Sequence, residues 1–195
     1  YYICQLEELM EINHVSYGLE KWKGMLASTC KLFTSKEYSY IPIYLASGLK
    51  DIDDIYRWCC KVGFALEFAN MIMLDALTFN WDRHFGNFGV LKDNKTGKYV
   101  AFAPIFDNGA GLLSDAPSEI FNSKKSFMDY YKNDRELQKS NYGVDYRTLV
   151  EMYCFKKQIV FLRKAALFKF RKHPKYNLDD NRLKLLNDMV NARAV

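Results

Sequence analysis

The chain has 195 residues, 49% hydrophobic, 26% charged and 16% aromatic, with a formal net charge of +5, a composition that excludes a disordered tail. A chain of this length buries roughly 70% of its unfolded surface, so one sizeable core, or a core with a small annex, needs no disulfide staples. Glu67 and Asp75 interrupt the longest apolar run before it reaches the roughly 18 residues of a membrane span, so no membrane association is expected.

The first residues carry Glu7 and Glu8 and no basic segment, so they read as the start of a piece cut from something longer rather than a secretory signal. Over residues 2–12, Ile3, Leu6 and Met10 share one stripe with Glu7, Glu8 and Glu11 opposite, which predicts a short amphipathic helix. Residues 15–22 (VSYGLEKW) and 25–33 (MLASTCKLF) alternate around Lys23-Gly24 and predict a hairpin. The stretch around Pro42 reads as a linker. Asp51, Asp53 and Asp54 then open a helix that Gly63 ends or kinks. Phe64, Phe68, Ile72, Ala76 and Phe79 predict a largely buried helix ending near Asn80.

Residues 81–92 (WDRHFGNFGVLK) pack Asp, Arg, His and Asn directly after that apolar helix and turn into a short strand. Residues 98–106 (KYVAFAPIF) read as a second strand, joined through turn chemistry at 93–97. With Lys92 opposite Lys98, Asn87 lies opposite Ala103, and Asp107 falls four residues beyond at the same open end. Local geometry therefore brings Asp82, Asn87 and Asp107 toward one place. After a polar stretch at 122–146, residues 147–170 look helical, and 178–191 form a closing helix through Leu183, Leu186 and Met189.

Residues 1–110 carry 11 Lys and Arg against 13 Asp and Glu, and residues 111–195 carry 17 against 10, so the halves differ as −2 and +7. The second half is either a solvated basic face or a surface for an acidic partner or nucleic acid. Five cysteines are an odd number, with no C-x-x-C, so neither a disulfide framework nor a structural zinc is expected. Adjacent Cys59 and Cys60 read as small apolar helix residues, and the compartment as reducing and cytoplasmic.

An Asp, an Asn five residues on, and a second Asp after a hairpin suit phosphoryl transfer from a nucleotide. A carboxylate and an amide oxygen are donors for the hard Mg²⁺ ion that phosphates bring, which leaves the first carboxylate for the proton of the attacking hydroxyl. The kinase pattern H-R-D-x-x-x-x-N followed by D-F-G becomes D-R-H-F-G-N and D-N-G here. Arg83 and His84 read as braces of the loop. Asp75 either hydrogen-bonds the loop from beneath or is an exposed helix position.

WDRHFGNFGVL followed by APIFDNG resembles the catalytic and metal loops of HipA-like Ser/Thr kinases, members of the protein-kinase-like superfold. The resemblance is strong over 64–113 and extends weakly, through element order, to residue 1. It implies an α+β fold in which residues 1–45 are a partial N-lobe (helix, β-hairpin and hinge) and residues 46–195 a mostly helical C-lobe. It also implies that Asp82 is the catalytic base and that Asn87 and Asp107 are metal ligands. ATP and Mg²⁺ follow as cofactors, a protein as substrate, and an antitoxin-type or DNA-binding protein as a partner. Phosphoinositide lipid kinases share D-R-H-x-x-N, so a lipid or small-molecule kinase is the nearest rival, and a pseudokinase-like binding module the non-enzyme one. The glycines before Asp82 are too scattered for a phosphate-covering loop, and Glu7, Glu8 or Glu11 stands where a Glu paired to a phosphate-binding Lys belongs. The residues given are thus expected to fold but to transfer phosphate poorly on their own.

Overall fold

The computed structural model describes residues 1–133 and 138–195; residues 134–137 of the predicted polar stretch lie outside it. In chain order the elements are α1 (Tyr2–Leu9), β1 (Tyr17–Trp22), β2 (Met25–Cys30), β3 (Tyr38–Pro42), α2 (Ile43–Ser47), α3 (Ile52–Val62), α4 (Ala65–Thr78), β4 (Gly89–Asp93) and β5 (Tyr99–Phe102). A 3₁₀ turn (Ser118–Asn122) follows, then α5 (Lys124–Asn133), α6 (Tyr146–Tyr153), α7 (Lys156–Ala165) and α8 (Asp180–Arg193). The fold is mixed α and β, with small sheets among its helices. Among the described residues no helix is long and apolar enough to cross a membrane.

The predicted hairpin is β1–β2, with Trp22 opposite Met25 and the two turn residues at φ of 49° and 83°. Two consecutive positive φ values define the turn whose twist matches paired strands, and Gly24 supplies one at no steric cost. Asp51 caps α3 as expected, its Oδ1 accepting from the backbone of Asp53 and Asp54, and Gly63 ends it in the left-handed conformation. Within α4, Phe68, Met71, Ile72, Met73, Leu74 and Leu77 are all at most 1% exposed. A helix apolar on every side is central to the core, and α4 packs against α1, α3, α6, α7 and α8.

Four expectations need correction. The stretch around Pro42 is not a linker but β3, which pairs antiparallel with β4 in the sheet order β3-β4-β5. Pro42 is tolerated because it is the last residue of an edge strand, where a missing N–H breaks no ladder. The β4–β5 register is not Lys92 opposite Lys98: Lys92 faces Tyr99, with an irregularity between Leu91 and Lys92. Asp93 causes the shift, because its N–H donates to the Lys98 carbonyl and its side chain accepts from Lys95 and Thr96, extending the strand by one residue. Ala103 therefore bonds Gly89 rather than facing Asn87.

Residues 147–170 are not helical throughout: α6 and α7 are parted by the extended Cys154 and Phe155, and α7 ends at Ala165. The buried Gln158 starts the second helix: its Oε1 accepts from the Phe155 N–H and its Nε2 donates to Asn70 on α4. Finally, Glu7 does not lie on a solvent face of α1 but is fully buried. The signal was in the spacing, since Glu7 stands four residues after Ile3 and three before Met10, within the apolar stripe itself.

Gly89 sits where β3 crosses most closely. A Cβ built there would lie 2.1 Å from the Ile41 carbonyl oxygen, whereas one at Gly63 would meet open space. Gly89→Ala should therefore destabilise by about 1–3 kcal/mol or more through overpacking against backbone that cannot yield. Gly63→Ala should cost about 1–2 kcal/mol from its left-handed φ alone. Urea unfolding of the two variants checks the order.

Candidate active site

The segment after α4 is built around one side chain. Phe79 closes the helix in a left-handed conformation, φ 53°, which reverses the chain into residues 80–88. Arg83 then turns inward and is 1% exposed. Its Nε donates to Asp75 Oδ2 at 2.9 Å and its Nη2 to Asp75 Oδ1 at 3.0 Å. Nη1 donates to the Asn87 carbonyl at 3.1 Å and the Phe106 carbonyl at 2.6 Å, and Nη2 also to Asn108 Oδ1 at 2.5 Å. All five guanidinium N–H groups are thereby used.

Asp75, 3% exposed, is therefore the support beneath the loop and not an exposed helix position. Burial pushes its carboxyl upward, and the Arg83 guanidinium and the Asn80 amide pull it back. Burial also works against the charge of Arg83, which Asp75 more than restores, so the guanidinium is held charged more firmly than a free one. Three N–H donors converge on the carboxylate, two from Arg83 and one from Asn80, and each favours the ionised form.

Asp82 is half-buried, Asn87 is 7% exposed and Asp107 is exposed. The Asp82 carbonyl accepts from the His84 N–H at 2.8 Å and from Asn87 Nδ2 at 3.1 Å. Asn87 has thus committed its amide nitrogen to the loop, which leaves its Oδ1 as the available donor atom. His84 also braces the loop, its Nδ1 accepting from the Gly86 N–H. Asp107 has a φ of 55°, a region costly for a side chain other than Gly, and its N–H donates to the Tyr17 hydroxyl on β1 at 3.1 Å. Because Arg83 holds the carbonyls of Asn87 and Phe106 and the side chain of Asn108, it fastens the Asp82–Asn87 loop to the residues on either side of Asp107.

Three contributors receive no role from the sequence, although Asn108 lies within the D-N-G motif itself. Asn108, 8% exposed, passes the network on by donating to Glu7 Oε1 at 2.9 Å. Tyr40 on β3 donates to the Gly86 carbonyl at 2.8 Å and packs with Phe33 and Phe106, its ring 5.8 and 5.2 Å from theirs. Tyr17 approaches from the hairpin. Of the three glutamates, Glu8 pairs with Arg171 and Glu11, just past α1, with Lys164, whereas Glu7 gives Oε1 to Asn108 and keeps Oε2 without a hydrogen-bond partner. A cavity of about 340 Å³ lies beside Asp107, lined also by Cys4, Tyr17, Asn108, Gly109 and Arg182, but not by Asp82 or Asn87.

No protein-family model matches the chain. The serine/threonine-protein kinase CtkA of Helicobacter pylori is 26% identical over 145 residues, a match that covers 66% of this chain and 44% of that protein. The chain thus matches less than half the length of this curated relative. The crystal structure of a Helicobacter pylori proinflammatory kinase, CtkA, shares the fold with a TM-score of 0.73 at 18% identity, covering 99% of this chain and 80% of that one. The protein is therefore similar to a serine/threonine kinase in sequence and shares the fold of one.

Removing Arg83 alone would leave Asp75 as an unpaired buried charge. Arg83→Met should cost about 3–5 kcal/mol in urea unfolding. Adding Asp75→Leu should recover part of that loss, because the unpaired charge goes while the Asn87 and Phe106 carbonyls remain without their donor.

Proposed function

We propose that this chain is the catalytic region of a HipA-like serine/threonine protein kinase, which transfers the γ-phosphoryl group of ATP to a protein hydroxyl. The observation that carries the reading is the single buried guanidinium that fastens Asn87 to the residues flanking Asp107. Similarity to a kinase named for serine and threonine supports the acceptor class.

The residues fit Mg²⁺ by donor chemistry. Asn87 Nδ2 is already engaged, so the amide presents oxygen, and Asp107 is an exposed carboxylate held in place through its own N–H. Both are hard oxygen donors. Mg²⁺, when bound, offsets the charge of the phosphate oxygens. Asp82 accepts the proton of the attacking hydroxyl. Its peptide is fixed by two donors to its carbonyl, so the backbone that carries its carboxylate is set before substrate arrives. Tyr40 and His84 hold the backbone between Asp82 and Asn87, so that the spacing of the two groups does not drift.

The acceptor class is tested by offering the full-length parent protein Mg-ATP with a protein substrate, phospholipid and an aminoglycoside, and analysing phosphoamino acids. Phosphoserine or phosphothreonine supports the proposal, and transfer to lipid or aminoglycoside favours the D-R-H-x-x-N rival. A folded protein with no nucleotide affinity would instead be a pseudokinase-like module. An antitoxin-type or DNA-binding partner belongs to the proposal through the same resemblance.

Two substitutions separate the roles. Asp82→Ala should leave ATP affinity nearly intact and slow turnover about 10²- to 10⁴-fold, the usual contribution of a positioned base. Asp107→Asn should abolish Mg²⁺-dependent ATP binding in calorimetry, because it exchanges a formal charge at a divalent ion for a dipole; unchanged affinity would remove Asp107 from the metal site.

A further inference from the structure

A second cluster of metal-ligand side chains lies on the far side of Asn108. Cys4 and Glu7, three residues apart on α1, share one helix face. His14 reaches them from the segment after the helix, where its backbone bridges Ile105. One ligand atom from each of the three lies within 4.8 Å of the other two. Cys4 is 6% exposed and Glu7 fully buried.

The Cys4 thiol leans on the Val15 carbonyl and the Glu7 carboxylate, but the hydrogen bonds around this cluster leave two of its inner atoms without partners. His14 Nδ1 lies 2.8 Å from the Ile12 carbonyl, which fixes the proton on that nitrogen and leaves a lone pair on Nε2. Glu7 Oε1 is taken by Asn108, but Glu7 Oε2 and His14 Nε2 are both buried with no hydrogen-bond partner, and they do not bond each other. Buried polar atoms are rarely left so, and two from different segments in one cluster call for a shared occupant. The outer bonds are also those a metal site uses. A ligating imidazole donates its other N–H to a carbonyl, and a ligating carboxylate is itself hydrogen-bonded.

We propose that Cys4, Glu7 and His14 form a Zn²⁺ site that ties α1 to the segment carrying Asp107. Sulfur and imidazole donors select a zinc-class ion over Mg²⁺, and three protein ligands leave a fourth position to water from the cavity that Cys4 lines. The Cys4 thiol, 3.6 Å from the Val15 carbonyl, loses its proton to solvent as the sulfur–zinc bond forms. The ion joins α1 directly to the chain that bridges Ile105, two residues before Asp107, alongside the existing Glu7–Asn108 bond. The proposal is independent of the kinase reading.

The test uses the full chain, stripped of metal and kept reduced, in an excess of Mg²⁺. Co²⁺ should bind at one equivalent with a near-ultraviolet thiolate-to-cobalt band, which Zn²⁺ then bleaches. At a urea concentration just below unfolding, where the reagent reaches the buried Cys4 of the metal-free chain, Zn²⁺ should also shield it from alkylation, read by peptide mass spectrometry, while the exposed Cys30 and Cys60 stay reactive. Cys4→Ser should remove the band, and His14→Gln should weaken Zn²⁺ binding by about tenfold or more. The wild-type spectrum and shielding decide the matter even where a variant does not fold. Absence of stoichiometric uptake, a cobalt spectrum without the thiolate band, equal alkylation of Cys4 with and without Zn²⁺, or binding that survives both substitutions would each overturn the site.

Discussion

The Asp75–Arg83 pair is the constraint on which the rest of the site depends. Burying a guanidinium and a carboxylate costs several kcal/mol per ion even after relaxation, and an apolar pair of similar volume would often be no less stable. Stability alone therefore does not account for it. An apolar pair could not supply five directed N–H groups, and here two go to Asp75 while three go to Asn87, Phe106 and Asn108. The carboxylate on α4 fixes the plane of the guanidinium, and the guanidinium fixes two loops that are separated by a whole hairpin.

The same logic orients Asn108. Its Oδ1 accepts from Arg83, so its nitrogen faces Glu7, and a chain of polar contacts runs from the central helix through both loops to α1. Backbone strain collects along this path: Phe79, Asp107, Leu112 and Leu113 all have φ between 53° and 56°. Left-handed conformations at such side chains persist where the surroundings over-determine them. The surroundings here are specific: Leu112 N–H bonds the Thr78 carbonyl at 2.6 Å, and a Cβ at Gly111 would lie 2.6 Å from Ile3. The segment after Asp107 is thereby pressed between α1 and the end of α4.

What the sequence made legible was what local chemistry determines. The Lys23-Gly24 turn, the Asp51 cap and the apolar run of α4 each depend on neighbours a few residues away, and each forms where the pattern puts it. The Asp82, Asn87 and Asp107 segments were legible as a constellation because a hairpin joins them, although the register that unites them differs by a bulge. Strand β3 was hidden because its partner is distant in sequence and Pro42 reads as a break. The sequence leaves Asp75 open and puts Glu7 on the wrong face for a single reason: a carboxylate near an apolar stripe is exposed or paired according to a partner that periodicity does not show. Those partners are Arg83 and Asn108, each in a loop. The Cys4, Glu7 and His14 grouping escaped the zinc patterns for the same reason, since a bend in the chain and not spacing alone assembles it.

The charge asymmetry can also be read more closely. Part of the positive excess of the second half is answered by acids of the first: Arg171 meets Glu8 of α1 at 2.7 Å and Lys164 meets Glu11, two residues past it, at 3.5 Å. Exposed pairs of this kind contribute about 0–1 kcal/mol each, so they do not hold the helix in place. The buried Gln5 does more, since its amide accepts from the Arg171 N–H at 2.7 Å and donates to the Arg171 carbonyl at 3.0 Å, which satisfies both backbone polar groups of that residue. The amide, not the exposed charges, then fixes where α1 meets the C-terminal segment. Glu7, on the adjoining face, is aligned with Asn108 by that seating. The position of α1 relative to Asp107 is thus set from the C-terminal half of the chain, through Arg171, as well as from Arg83 beneath it.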